Sequence, residues 1–144
     1  MKTVKDILND KGTEVWSIPP SATVYDALTL MADRNVGALV VENEGQWIGI
    51  FSERDYARKS IEICASPKEC RVSDLMSTKI FGIGPERTIE ECMKLMTDKR
   101  VRHLPVLEGK KIGGLISIGD VVKAMIHEKT FIIEQLESYI NGGR

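Results

Sequence analysis

Two stretches of this chain carry residues that can do chemistry, and they carry the same types at the same spacing. Gly49-Ile-Phe-Ser-Glu-Arg-Asp55 and Gly114-Leu-Ile-Ser-Ile-Gly-Asp120 share the form Gly-h-h-Ser-x-x-Asp, where h is apolar. Each serine falls where an apolar run gives way to helical spacing, so each motif marks a strand turning into a helix. One chemistry for that place is structural. Ser52 and Ser117 cap the helices, and Asp55 and Asp120 favour the positive helix ends. The other is ligand binding. Free N–H groups and a hydroxyl at a helix start hold a phosphate or a sugar hydroxyl, and a carboxylate there accepts from both hydroxyls of a ribose. A glycine one strand-length earlier lets a base lie against the backbone. The two readings are compatible, and a single S-x-x-D is no more than a cap signal. Its recurrence in two facing copies predicts two quasi-symmetric clefts.

The motifs belong to an internal duplication. Shifting the chain by 65 residues lays residues 16–57 on 81–122 without a gap. The twelve identities are Ile18/Ile83, Pro20/Pro85, Thr23/Thr88, Leu30/Leu95, Met31/Met96, Asp33/Asp98, Val36/Val101, Leu39/Leu104, Val41/Val106, Gly49/Gly114, Ser52/Ser117 and Asp55/Asp120. Composition alone would give roughly two or three. Upstream, Val4–Leu8 resembles Val72–Met76 at a slightly different offset.

Each copy reads as β-α-β-β-α. A short strand, at 15–18 and again at 80–83, stops at Pro20 or Pro85, which cannot continue a ladder. Thr23 with Asp26, and Thr88 with Glu91, are spaced as capping boxes. Val24, Ala27, Leu28 and Met31 follow at helical spacing, as do Ile89, Cys92, Met93 and Met96. Two strand-like runs come next, 38–41 and 47–51 in one copy, 104–107 and 112–116 in the other. The last helices start near Glu53 and Ile118. The fold class is α/β (α+β), with a first unit at 1–66 and a second at 67–144 that ends in a helical extension. Along that extension Ile132, Leu136, Tyr139 and Ile140 share a face suited to core or dimer contact. One unit alone is near the size where a core barely sustains itself.

Bulk composition narrows the function. Twenty basic residues stand against 21 acidic ones, a net charge of −1, so the chain lacks the basic excess of a general nucleic-acid binder. Its first residues, Met1-Lys2-Thr3-Val4-Lys5-Asp6, lack the long apolar stretch expected of a signal peptide, and no run approaches the length expected of a membrane span. The three cysteines Cys64, Cys70 and Cys92 form no C-x-x-C, and they read as buried or spare thiols in a reducing cytoplasm. A regulatory Cys64–Cys70 disulfide is the alternative. His103 and His127 lack the companions of a zinc site. With no triad order and no phosphate-binding glycine loop, neither catalysis nor a metal is expected.

The duplicated units, the Val-Arg-His-Leu-Pro-Val stretch at 101–106 and both Gly-h-h-Ser-x-x-Asp ends together resemble a cystathionine β-synthase (CBS) domain pair of the short stand-alone bacterial type. The resemblance covers the whole chain. It implies a pseudo-two-fold pair that binds an adenosine-containing ligand (AMP, ADP, ATP, NAD or S-adenosylmethionine) in clefts between its units and acts as a sensor. It makes Asp55 and Asp120 ribose ligands, and Ser52 and Ser117 hydroxyls near ribose or phosphate. Arg102 and His103 match phosphate-contacting basic positions, whereas their counterparts in the first copy are Gly37 and Ala38. That copy carries Arg54, Arg58 and Lys59 instead, with Arg54 and Arg58 spaced to aim at one anion. Ser17, Ile18, Ile80 and Ile83 would border the adenine, the alternative being a plain edge-strand role. The partners implied are an adenine nucleotide, a second copy in a homodimer and an unidentified effector protein, with no nucleic acid and no membrane. The competing expectation is a dimerisation scaffold with unoccupied clefts.

Overall fold

The computed structural model describes residues 2–142. In chain order the elements are α1 (Val4–Lys11), β1 (Ser17–Ile18), α2 (Val24–Arg34), β2 (Ala38–Asn43), β3 (Gln46–Ser52), α3 (Glu53–Ile63), α4 (Val72–Leu75), α5 (Ile89–Lys99), β4 (His103–Glu108), β5 (Lys111–Ser117) and α6 (Ile118–Gly142). They form two compact units. One is Val15–Ile80; the other joins the residues up to Glu14 with those from Phe81 onward.

The compact unit and the sequence repeat are therefore different divisions of the chain. The repeat places α1 with the first copy and α4 with the second. In space α1 packs on β5 and α6, while α4 packs on α3. Each linker helix is buried by the copy that precedes or follows its own, through Val4, Ile7 and Leu8 in one case and Val72 and Leu75 in the other. A four-residue helix such as α4 has no stability of its own. Burial of its two apolar side chains holds it.

Within Val15–Ile80, β2 pairs antiparallel with β3 and parallel with β1, in the order β1-β2-β3. In the other unit β4 pairs antiparallel with β5. Both hairpins carry a register shift, after Val41 and after Val106, at repeat-equivalent places. Thr23 and Thr88 cap α2 and α5, and at Thr88 the box closes in both directions. The helices end at Asn35 and Arg100, both left-handed with φ 54°. Phe51, Met31 and Leu39 lie in one core, Ile89, Leu104 and Ile116 in the other, all with less than 2 % exposure. Each such side chain contributes roughly 1.5–3 kcal/mol by leaving water.

The strand expected at 80–83 is not formed. Only Ile83 bonds, as a single parallel bridge to Val106, donating to Pro105 O at 3.0 Å and accepting from Leu107 N at 2.9 Å. Gly82 and Gly84 weaken a ladder on either side, and Pro85 offers no N–H. The equivalent β1 manages two residues. The C-terminal extension is not a separate helix, because α6 runs unbroken for 25 residues.

Candidate functional site

At the mouth of α6, Ser117 and Asp120 make the reciprocal box that their spacing predicts. Ser117 N donates to Asp120 Oδ2 at 2.8 Å, and Asp120 N donates to Ser117 Oγ at 3.1 Å. A third group completes the arrangement. Lys11, at the end of α1, donates from Nζ to Asp120 Oδ2 at 2.6 Å and to Leu115 O at 2.9 Å. Burial alone would raise the Asp120 carboxyl; the Lys11 hydrogen bond, the Ser117 N–H, the Lys11 charge and the Ser117 hydroxyl outweigh it, and the group is held below its ordinary value. The hydrogen bonds from Lys11 and from Ser117 N both fall on Oδ2.

This carboxylate opens on a cavity of about 390 Å³ between α1 and α6, lined by Lys2, Ile7, Lys11, Asp120, Lys123 and His127 among others. Three lysines and a histidine there face two carboxylates, Asp10 and Asp120. The apolar lining comes from Ile7 and Ala124. A mixed wall with cations at the rim suits a small polar anion carrying a flat apolar part.

At the mouth of α3 the same box recurs with different wiring. Asp55 Oδ2 accepts from Ser52 N and from Ser52 Oγ, both at 3.0 Å, and Asp55 N donates to Ser52 Oγ at 3.1 Å. The lysine here is Lys59, one turn along the same helix, 3.6 Å from Asp55 Oδ1 and 3.0 Å from Leu75 O. Asp55 thus has both oxygens engaged. Lys59 ties α3 to α4 rather than joining Arg54 and Arg58, which lie exposed on that helix.

The glycines of the two motifs have a structural task. A Cβ built on Gly114 would lie 2.7 Å from Leu8 Cδ2, and one on Gly49 would lie 2.9 Å from Met76 Sδ and 3.0 Å from Ser77 O. Leu8 and Met76 are equivalent residues of the two linker segments. Each glycine seats the linker that crosses its strand, and the expectation of a base against the backbone is corrected at both positions.

Other expected site residues divide into those brought to the motifs and those kept away. His103 pairs with Ser117 across the β4–β5 ladder, and Ile118 N donates to Arg102 O at 2.9 Å. Gly37 and Ala38 take the matching places beside Ser52: Ala38 pairs with it, and Glu53 N donates to Gly37 O at 3.1 Å. Arg102 and His103 do not line the cavity at Asp120. Ser17 is exposed and Ile18 buried on β1, opposite Val40 and Val41. Ile83 is buried in the core of its unit, and Ile80 ends the other unit, partly exposed. Sequence reasoning missed Lys2, Lys11 and Lys123 as site residues and considered His127 only as a metal ligand. Asp120, Lys123 and His127 stand at i, i+3 and i+7 of one helix, a signal that was available. Lys11 comes from 109 residues away, and no local pattern announces it.

Cys64 and Cys70 are joined by a disulfide, which corrects the reading of both as free thiols. The bond closes the loop between α3 and α4, where Val24 N donates to Cys70 O at 2.9 Å and Tyr25 N to Pro67 O at 3.0 Å. Cys92 stays a free, buried thiol, pushed up to about 11 by burial and the neighbouring Glu91. Among the described residues no cluster of metal-ligating side chains exists, and no helix is long and apolar enough to cross a membrane.

Duplicated β-α-β-β-α units with a Ser–Asp box at each final helix define a tandem-repeat module whose helix mouths carry its polar chemistry. The CBS domain family model matches residues 4–62 and 72–127, so the chain belongs to the CBS domain family. The mitochondrial CBS domain-containing protein CBSX3 of Arabidopsis thaliana is 41% identical over 151 residues, covering 98% of this chain and 73% of that protein. A solved structure of a protein with CBS domains from Burkholderia ambifaria MC40-6 is 45% identical, with TM-score 0.82 over 88% of this chain and 95% of the other. A CBS domain pair crystallised with 5-methylthioadenosine and S-adenosyl-L-methionine matches at TM-score 0.76 over 89% of this chain and 98% of that one. At 15% identity that last likeness is one of fold alone.

Proposed function

We propose that this chain is a regulatory sensor that binds an adenine nucleotide (AMP, ADP, ATP or NAD) at the mouth of α6 without turning it over. It passes occupancy to an unidentified effector protein, works as a homodimer, and resides in the cytoplasm. One observation carries the ligand reading: Asp120 is held ionised beside a cavity whose rim is cationic. Its Oδ1 accepts a ribose hydroxyl. Lys11, already poised on the same carboxylate, swings to share the ligand's phosphate with Lys2, Lys123 and His127. That the CBS domain pair crystallised with 5-methylthioadenosine and S-adenosyl-L-methionine holds adenosine-containing ligands agrees with this chemistry.

The roles first assigned to Ser117, Arg102 and His103 stay within the proposal: Ser117 fixes the carboxylate, and Arg102 and His103 are the second candidate phosphate contacts. Asp55, Ser52, Arg54, Arg58 and Lys59 form the weaker of the two mouths, because Lys59 already occupies the free side of Asp55. That engaged carboxylate favours the second reading, a scaffold with an empty mouth, for α3 specifically. Gly37 and Ala38 add no charge there, and Ser17, Ile18, Ile80 and Ile83 are proposed only as apolar borders.

A thermal-shift panel of AMP, ADP, ATP, NAD and S-adenosylmethionine tests the reading. Ligand at a hundred times its dissociation constant stabilises the fold by about 2.7 kcal/mol, a rise of roughly 5–10 °C for this size. The shift should fall to about half or less in Asp120→Asn, where ligand binding weakens roughly tenfold to a hundredfold, and persist in Asp55→Asn. No shift with any compound leaves the scaffold; product formation from ATP would make the chain an enzyme.

A further inference from the structure

The second half of α6 carries an apolar surface that nothing in the described chain covers. Every residue from Lys129 to Asn141 is exposed; Lys129 and Ile132 still border a groove with Ile89 and Glu90 of α5, and the stretch beyond them projects from its unit. It lies beyond the family-matched residues, which end at 127. Thirteen residues of isolated helix are marginal in water, and a projecting helix of this composition calls for a partner.

The spacing of its apolar residues says which partner. Val122, Ile126, Lys129, Ile133, Leu136 and Ile140 follow steps of four and three, the alternation that keeps one seam along a coiled coil. Ile126, Ile133 and Ile140 take one seam position; Val122, Lys129 and Leu136 take the other. The five apolar members are between 41% and 72% exposed, and the seam begins on the body of the unit and continues unbroken onto the projection. Isoleucine alternating with leucine or valine in this order is what a like helix receives.

We propose that α6 pairs with α6 of a second copy of this chain, antiparallel, through this seam. The inference rests on the homodimer part of the reading above and names its surface. Charge sets the direction. In a parallel pair Lys129 would meet its own copy across the seam. Antiparallel layering places Ile126 on Leu136, Val122 on Ile140, and Lys129 on Ile133. The lysine is then separated from its counterpart, with the partner's Glu137 one helical turn away. Lys123 and Glu137 occupy the same flanking position and face each other across the antiparallel seam, one opposite-charge pair at each end. The other flank, with Ile132 and Tyr139, continues the apolar contact.

Sedimentation velocity on the full chain, with cross-linking by a short bis-maleimide that leaves the Cys64–Cys70 bond intact, decides it. The expected result is a dimer at tens of micromolar that becomes a monomer in Ile133→Glu/Leu136→Glu. The circular dichroism and thermal transition of the body should be retained, because both positions are exposed. Ile132→Cys should cross-link to itself, since Ile132 meets Ile132 only in the antiparallel pair, and Leu136→Cys should not. A wild-type monomer overturns both the homodimer and this surface. A dimer that survives the double glutamate variant keeps the homodimer and overturns the seam; cross-linking at Leu136→Cys alone overturns the antiparallel arrangement.

Discussion

Lys11 Nζ sits 2.6 Å from Asp120 Oδ2, and the two residues are separated by 109 positions of chain. In the other unit Lys59 reaches the equivalent carboxylate, Asp55, from one turn along the same helix. Each lysine also takes a main-chain carbonyl, Leu115 O or Leu75 O. The duplicated carboxylates are therefore neutralised in the same way by lysines of unrelated origin, one carried on a linker helix and one reaching toward a linker helix. The common result is a latch between linker and final helix. Only at Asp120 does the lysine come from outside the helix that carries the carboxylate, and there it borders a cavity.

Lys11→Met should lower stability at pH 7 by about 1 kcal/mol or less, because the pair is partly exposed and screened. The Asp120 carboxyl titrates below its unfolded value, so the pair's contribution is complete above that value and is lost as pH falls through the lower, folded one. Urea unfolding of both proteins at pH 7 and at steps below pH 4 measures this. The gap between them should close with acid. A gap that stays constant would mean that Lys11 acts through packing or through Leu115 O.

Gly49→Ala should cost more than Gly114→Ala. The new methyl at 49 meets the backbone oxygen of Ser77, which is itself bonded to Ile50 N at 3.0 Å and cannot retreat cheaply. At 114 the nearest atoms it meets all belong to the Leu8 side chain. Overpacking of this kind costs about 1–3 kcal/mol, with Gly49→Ala near the upper end. Leu8→Val combined with Gly114→Ala should recover part of the loss. Chemical denaturation of the two single glycine variants and the double variant checks both statements, and equal costs at the two glycines would refute the linker explanation.

What was legible in the sequence was what repeats. The 65-residue register located both hairpins, both caps and both motifs, because local period and turn chemistry fix those elements. What the repeat hid was the exchange of linker helices. Val4–Leu8 and Val72–Met76 look alike, yet which copy buries them depends on packing against Gly114 and Gly49, a long-range matter that residue spacing does not encode. The same cause hid Lys11. The strand at 80–83 failed for a nearer reason: its apolar residues were read without weighing Gly82 and Gly84. For the cysteines, the odd count and the missing C-x-x-C put the Cys64–Cys70 disulfide second to free thiols, although the two residues sit at the ends of one short loop.

Reduction should destabilise the chain. Closing a loop of about seven residues is worth on the order of 2 kcal/mol in the chain-entropy account, so dithiothreitol should lower the melting temperature by roughly 5–10 °C, and Cys64→Ala/Cys70→Ala should match the reduced wild type. Thiol counting gives an independent reading. One thiol, Cys92, should react, and only after unfolding, since burial holds it protonated to about 11. Its raised pKa favours the folded state below about 9 and withdraws that favour as pH climbs toward 11. Three reactive thiols in the unfolded, unreduced protein would show that the bond is not formed.

The phosphate end of the proposed ligand can be located by comparing AMP with adenosine. Lys123 lines the cavity beside Asp120, whereas Arg102 meets this region only through its backbone carbonyl. Lys123→Gln should weaken AMP about three- to tenfold, less than a buried charged hydrogen bond would because the ammonium is exposed, and should leave adenosine unchanged. Arg102→Gln should change neither. Calorimetric titration of both ligands into both variants separates the assignments. Loss of AMP affinity in Arg102→Gln with Lys123→Gln unaffected would move the phosphate to the Arg102–His103 side of Ser117. An equal loss for AMP and adenosine in either variant would show that the residue supports the fold of the mouth rather than the phosphate. Asp120→Asn is the internal control: it should weaken the two ligands alike, by roughly tenfold to a hundredfold, because both carry the same ribose.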